Sequence, residues 1–268
     1  MRKILTIYFS GTGNTKRIAE IFSSKSGGKC LSIEDEADFF SKIQAHEIIA
    51  VCYPNHTSRV PRIMREFVAK HMEAFKGKKI IIFITQLVFS GDGARVLCDI
   101  FPEKHIDVIY AEHFTMPNNV GNIPVLSKTI LRKASDKCIQ KLMTKADAKI
   151  KIICRNIEGG IIKKRGFSTF SRLLGMIQGI SWQGNSKNVF AGKYTVQHRA
   201  KKWVWINSDC NACNLCVKHC PIKNLENNND VITHKNNCTT CFRCVNICPK
   251  KAISVMFRMK PAWQHKWI

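Results

Sequence analysis

The sequence predicts a chain in two parts: an α/β unit built on a doubly wound parallel five-stranded sheet, then a small α+β unit organised around metal. Three observations carry this. Strand-like apolar runs alternate with helical patterns over about the first 150 of the 268 residues. The first of those strands leads directly into a loop with two glycines and then a helix. Eight of the thirteen cysteines fall in two copies of one spacing near the other end.

Residues 3–9 read as a buried strand, followed by Ser10-Gly11-Thr12-Gly13-Asn14-Thr15 and the helical pattern Ile18, Ala19, Ile21, Phe22. Further strands are expected over 30–33, 47–53, 79–85 and 106–111, with helices at about 61–74 and 93–101. In such sheets ligands sit outside the carboxyl ends of the strands. The loop Pro54-Asn55-His56-Thr57-Ser58-Arg59, the loop Gln86-Leu87-Val88-Phe89-Ser90-Gly91-Asp92-Gly93, and Met116-Pro117-Asn118-Asn119 should therefore share one crevice with residues 10–15. Residues 128–157 suit a last flanking helix, ended by Gly159-Gly160. Over 161–182, Phe167, Phe170, Leu173, Leu174, Ile177 and Ile180 form one helical stripe behind Lys163-Lys164-Arg165. We expect that stripe to pack between domains, ahead of contact with a membrane surface, because Gly166, Gly175 and Gly179 weaken an isolated helix. Strands at 202–206 and 252–255 should pair around the cysteine motifs. The expected domain limits are 1–157, a basic connecting region over 158–201, and 202–268.

Residues 10–15 have the chemistry of a phosphate site. Hydroxyls of Ser10, Thr12 and Thr15, with N–H groups freed by Gly11 and Gly13, can surround a phosphate at a helix N-terminus, where the dipole favours an anion. Two rival loops fail against the letters. A Walker A loop needs Gly-Lys followed by Ser or Thr, whereas Lys16 is followed by Arg17, and a Rossmann fingerprint needs glycine at position 16.

The cysteine motifs read Cys210-x2-Cys213-x2-Cys216-x3-Cys220-Pro221 and Cys238-x2-Cys241-x2-Cys244-x3-Cys248-Pro249. This is the ligand spacing of a ferredoxin with two [4Fe-4S] clusters, in which the fourth ligand of each cluster comes from the other copy. Cys210, Cys213, Cys216 and Cys248 are assigned to one cluster, and Cys238, Cys241, Cys244 and Cys220 to the other. Zinc needs only four ligands and gives no reason for a third cysteine and a proline in both copies. Cys30, Cys52, Cys98, Cys138 and Cys154 are scattered and read as small buried hydrophobes.

Charge is uneven. Residues 1–150 carry 23 Lys and Arg against 15 acids, and residues 151–268 carry 20 against 4. The excess favours an acidic redox partner by steering encounters. No recognised nucleic-acid motif accompanies the scattered charges. The apolar run near residue 1 is too short for a signal h-region and no segment reaches the length of a membrane span, so a cytoplasmic location is expected.

The form Ser/Thr-x-Thr-Gly-x-Thr at residues 10–15 resembles the phosphate loop of the flavodoxins. Together with 85–92, 113–119 and the double cysteine motif, it makes the chain resemble the flavodoxin and ferredoxin fusion family of bacterial electron carriers. The resemblance implies a flavodoxin-like sheet, a bacterial-type 2[4Fe-4S] ferredoxin unit, and FMN beside two clusters. It implies FMN contacts from Ser10, Gly11, Thr12, Gly13, Asn14 and Thr15, with Pro54, Asn55, His56 and Thr57 on one side of the ring system. Gln86, Leu87, Phe89, Ser90, Gly91 and Asp92 would hold the other. Flavodoxins usually stack an aromatic residue on the flavin, and 54–59 offers only His56. As a solvated loop residue His56 would touch no flavin at all; Asp92 reads as a helix N-cap after Gly91 ahead of a proton donor. The function expected is electron transfer as a low-potential carrier or reductase module for a protein partner. The alternatives are a flavin-dependent enzyme reducing a small molecule with electrons supplied through the clusters, and a cluster-based redox sensor on nucleic acid.

Overall fold

The computed structural model describes residues 4–121, 133–183 and 200–265. The five expected strands are present as β1 (Ile4–Tyr8), β2 (Lys29–Ser32), β3 (Ile48–Pro54), β4 (Lys79–Gln86) and β5 (Asp107–Thr115). A sixth, β6 (Lys163–Lys164), extends the edge; two residues leave no periodic signal in a sequence. Every pairing is parallel, in the order β2-β1-β3-β4-β5-β6. The order reverses direction between β1 and β3, which opens the crevice where ligands bind in such sheets.

Strand side chains alternate between two covered faces. Leu5, Ile7, Val51, Tyr53, Ile80, Ile82 and Ile84 meet α2 (Phe39–Gln44), α3 (Arg62–Lys70) and the 3₁₀ turns Met72–Phe75 and Arg95–Ile100. Ala50, Cys52, Ile81 and Phe83 meet α1 (Asn14–Ser26) and α4 (Asp136–Glu158). The helix expected at 93–101 is only the short 3₁₀ turn, closed by Pro102, which disfavours helical backbone before it. Asp92 does not cap it; its carboxylate takes two hydrogen bonds from the Arg95 guanidinium. Ser135 caps α4 by accepting from the Cys138 N–H, and residues 128–132 of the expected helix lie outside the described residues. Cys52 is buried as expected, whereas Cys138 is exposed.

β6 is pinned by charge. Glu112, on β5 and 1% exposed, accepts from Lys149 at 3.0 Å, Lys163 at 2.9 Å and Arg165 at 3.0 Å. Burial alone would raise the Glu112 carboxyl, but hydrogen bonds from Lys163, the His113 N–H and Lys149 pull it down to about 2.

Helix α5 (Thr169–Gln183) corrects one expectation. Phe167 packs against the core, but Phe170 and Leu173 are 67% and 54% exposed, and among the residues of α5 whose burial is described, 169–177, the buried one is Gly175. The period of the stripe is the same whether it faces protein or solvent, so sequence could not tell them apart. The side chain of Ile180 lies outside the described residues.

Beyond Ala200, β7 (Val204–Ile206) pairs antiparallel with β10 (Ile253–Val255), as expected, and β8 (Leu225–Asn228) pairs with β9 (Val231–His234). Two short helices, α6 (Leu215–Lys218) and α7 (Arg243–Ile247), carry Cys216 and Cys244. A small core of Val204, Leu225, Ile232, Phe242, Val245, Ile253 and Val255 lies between them. Among the described residues no helix is long and apolar enough to cross a membrane.

Candidate functional site

Residues 10–15 form the turn between β1 and α1. Gly13 sits at φ 98°, a left-handed conformation that a side chain would strain, and its N–H donates to Ser10 Oγ at 3.0 Å. Neighbouring strand ends brace the loop. Thr15 Oγ1 lies 2.7 Å from Thr85 Oγ1, Asn119 Nδ2 donates to Thr12 Oγ1 at 2.8 Å, and Asn14 Nδ2 donates to the Pro117 carbonyl at 2.8 Å. The result is a preset cradle at the positive end of a 13-residue helix.

This cradle is one end of a cleft with about 1260 Å³ of empty space, part of it open to solvent. Of the residues expected there, Ser10, Gly11, Thr12, Asn14, Thr15, Pro54, Asn55, His56, Thr57, Gln86 and Leu87 line it. Thr57 and Ser58, at φ 54° and 57°, make a tight turn closed by mutual hydrogen bonds of His56 and Arg59. Left-handed backbone of this kind is costly and clusters at ligand sites. Burial, reinforced by the Arg65 cation, pushes His56 down to about 4, so its ring is neutral near pH 7. Five residues expected at the flavin, Gly13, Phe89, Ser90, Gly91 and Asp92, do not line the cleft; Gly13 shapes the loop from behind, its N–H turned to Ser10 Oγ. Phe89 is 47% exposed, Ser90 and Gly91 are buried behind the 54–59 turn, and Asp92 turns to Arg95. The chain turns away after Leu87, where Gln86 Nε2 donates to the Val88 carbonyl.

Two smaller cavities, each with about 360 Å³ of empty space including what opens to solvent, sit in the C-terminal unit. Cys210, Cys213, Cys216 and Cys248 line one; Cys220, Cys238, Cys241 and Cys244 line the other. Each cavity thus gathers three thiols of one motif and the last thiol of its copy. The backbone repeats as the letters do: left-handed φ recurs two residues after the first cysteine (Ala212, Thr240), one after the second (Asn214, Phe242) and three after the fourth (Lys223, Lys251). The Asn224 N–H donates to Cys220 Sγ and the Ala252 N–H to Cys248 Sγ, both at 3.2 Å and both four residues on.

The second cavity adjoins the cleft. Arg243, between Cys241 and Cys244, donates to the carbonyls of Ser10 (2.8 Å) and Gly11 (3.1 Å) and forms a two-pronged ion pair with Glu34 at 2.7 Å. The Cys241 carbonyl rests so close to Gly11 that a Cβ there would collide with it. Asn246 Nδ2 adds a bond to the Asn119 carbonyl at 2.9 Å.

Residues 5–130 match the family model described as Flavodoxin domain, and residues 202–249 match the one described as 4Fe-4S dicluster domain. The chain joins a flavodoxin domain to a 4Fe-4S dicluster domain. Among solved structures it is similar to a flavodoxin from the domain Archaea, at 18% identity over 56% of this chain and 99% of that one, with a TM-score of 0.37. The two-electron reduced flavodoxin of Megasphaera elsdenii aligns at 18% identity over 55% and 98%, TM-score 0.36. General stress protein 14 of Treponema denticola, solved with FMN, aligns at 9% identity over 59% and 99%, TM-score 0.43. None of the curated proteins matches the chain.

FMN is the cofactor of the flavodoxin domain, and two [4Fe-4S] clusters are those of the dicluster domain. The pairing makes the chain a redox electron-transfer protein. The residues present fit both groups. In the cleft, Asn14 Oδ1 and Gln86 Oε1 are buried acceptors with no hydrogen-bond partner among the described residues, suited to the N–H and hydroxyl groups of a flavin nucleotide. In the cluster cavities, burial pushes Cys216 to about 11 and Cys238 to about 12, so these thiols ionise only beside a strong positive charge such as bound iron. Among the described residues no three His, Cys, Asp or Glu side chains are gathered tightly enough for a single ion.

The sequence reading missed the other wall of the cleft. Thr240, Cys241, Phe242, Met256 and Phe257 of the dicluster domain, with Ala200, face the phosphate loop across it. No periodicity in either domain could have shown this. The one available signal was a deficit: a flavodoxin loop at 54–59 with no aromatic residue of its own leaves that place to be filled from elsewhere, and Phe242 and Phe257 stand at the cleft.

Proposed function

We propose that the chain transfers electrons between FMN and its two clusters, as a low-potential carrier or reductase module for a protein partner. A flavin takes two electrons and gives them singly while each cluster takes one, so the set can split pairs or collect singles. The observation that carries the reading is the shared wall: the loop of Cys241 closes over the phosphate loop, held by Arg243. FMN would rest on Ser10, Gly11, Thr12, Asn14 and Thr15 at its phosphate and against His56, Gln86, Leu87, Phe242 and Phe257 at its rings. The cluster of Cys220, Cys238, Cys241 and Cys244 would stand on the flavin side, and that of Cys210, Cys213, Cys216 and Cys248 at the outer end, where Cys213 is exposed. A cleft roofed by the cluster-bearing domain favours internal transfer over reduction of a small molecule. The basic C-terminal half supports an acidic partner surface at the outer cluster, and a cytoplasmic setting suits reduced thiols. The domain limits proposed are 1–157 and 202–268, joined by 158–201.

The test is rapid anaerobic photoreduction of the full chain, following flavin absorbance and cluster EPR together. Electrons should redistribute between flavin and clusters at a rate independent of protein concentration. Arg243→Ala, with iron and flavin content intact, should slow that step by up to about a hundredfold, the scale on which small misplacement of reacting groups acts. Redistribution that rises with protein concentration would remove the internal pathway.

A further inference from the structure

Helix α5 is mounted with its apolar side outward. Phe170, Leu173 and Met176, three residues apart on one stripe, are 67%, 54% and 59% exposed, while Gly175 on the opposite side is buried. That inward side fits because it is bare: a Cβ on Gly175 would run into the Asp92 carboxylate, and one on Gly91 into the Gly175 backbone. A helix that only needed to cover the flavodoxin domain would turn its apolar stripe inward. This one gives up that burial and presents the stripe to the surroundings, which marks the face as an interaction surface.

We propose that α5 seats the protein on an anionic phospholipid surface, lying in the plane of the interface. Charge selects the occupant. From residue 159 to residue 208 the chain has nine Lys and Arg and no Asp or Glu, and Lys164 and Arg172 are exposed beside the stripe. An exposed apolar stripe accompanied by cations matches a bilayer's own layering, acyl chains beneath anionic headgroups. An acidic protein surface offers the charge without the apolar layer, and a second copy would bring a formal +24 against +24. The seat is peripheral, since no described helix is long and apolar enough to span. Because α5 rests on Gly91 and Asp92, the surface would hold the flavodoxin domain by the segment that follows Gln86 and Leu87 of the cleft.

The experiment is co-sedimentation of the full-length protein, carrying FMN and clusters, with vesicles of phosphatidylcholine alone or mixed with phosphatidylglycerol. Partition to the anionic vesicles should exceed that to the zwitterionic ones by about tenfold or more and fall with added salt. The double variant Phe170→Ser/Leu173→Ser should lose about tenfold of it with flavin and cluster absorbance unchanged, and Arg172→Gln a few-fold. Equal partition to both vesicle types overturns the proposal, as does full binding by the double variant, which would reduce the contact to charge alone. A wild-type dimer that the double variant dissociates assigns the stripe to a second copy and overturns it too. Hydrogen exchange of residues 169–177 in the wild-type chain, slowed by anionic vesicles, is the arm independent of any variant; unchanged exchange has the same force against the proposal.

Discussion

Gly11 and Arg243 set how closely the two domains approach. The φ of Gly11 lies outside the left-handed region, so its backbone accepts alanine, and what stands in the way of a Cβ is Cys241, its carbonyl oxygen nearest and its own Cβ close behind. Glycine-to-alanine changes at permissive positions stabilise by about 0.4–1 kcal/mol through the unfolded state. Gly11→Ala should instead cost about 1–3 kcal/mol, the usual penalty of an overpacked contact, read from chemical denaturation of the loaded protein by its flavin signal. A neutral or stabilising outcome would show that the loop and Cys241 do not meet. Arg243 works in the same contact from the other side, where three acceptors on the flavodoxin domain, Ser10 O, Gly11 O and the Glu34 carboxylate, take its guanidinium. A planar fork meeting a carboxylate on two prongs is a geometry lysine cannot copy.

Among elements, β6 and α5 owe their places to polar contacts. Two residues of strand could not hold the sheet edge alone, and Glu112 supplies the anchor through Lys149, Lys163 and Arg165. Lys163 and Arg165 are half-exposed and can turn to water when released, so Glu112→Gln should cost about 1–3 kcal/mol, below the usual toll of stranding a fully buried charge. Hydrogen exchange in β5 and β6 reads it locally. The sign of the pH dependence follows from the lowered carboxyl: folded near 2 and unfolded near 4.3, Glu112 stabilises fully above about pH 4.3, and that share fades as pH falls toward 2. In the wild-type chain β6 exchange should accelerate on acidification through that window, and this pH-dependent step should be absent in the variant, whose β6 already exchanges faster at neutral pH. The five main strands were legible because buried parallel strands are continuous apolar runs, and α4 because its apolar residues repeat. β6 is too short for a period, and the facing of α5 depends on Gly91 and Asp92, some eighty residues away.

Across the whole molecule, the same division separates what spacing encodes from what only folding assembles. The grouping of eight cysteines into two sets of four was written in their spacing, because a crossed fourth ligand is a property of the repeat. The second wall of the cleft was not, since Phe242, Met256 and Phe257 lie more than two hundred residues from the phosphate loop they face. The two domains also differ in what sustains them. The flavodoxin domain has a large core on each face of its sheet, whereas the dicluster domain has one small core among strands of three or four residues. Units of that size seldom fold without metal or cross-links. Stripping iron with a chelator should therefore unfold residues 204–255, seen as new proteolytic cuts there, and leave the parallel sheet intact. FMN would then lose the wall formed by Phe242, Met256 and Phe257. Uncovering one or two large side chains' worth of apolar contact, about 1.5–3 kcal/mol, corresponds to a Kd weaker by roughly ten- to a hundredfold in a flavin fluorescence titration. An unchanged Kd in the iron-free protein would place those side chains off the flavin and return the ring contacts to the flavodoxin domain alone.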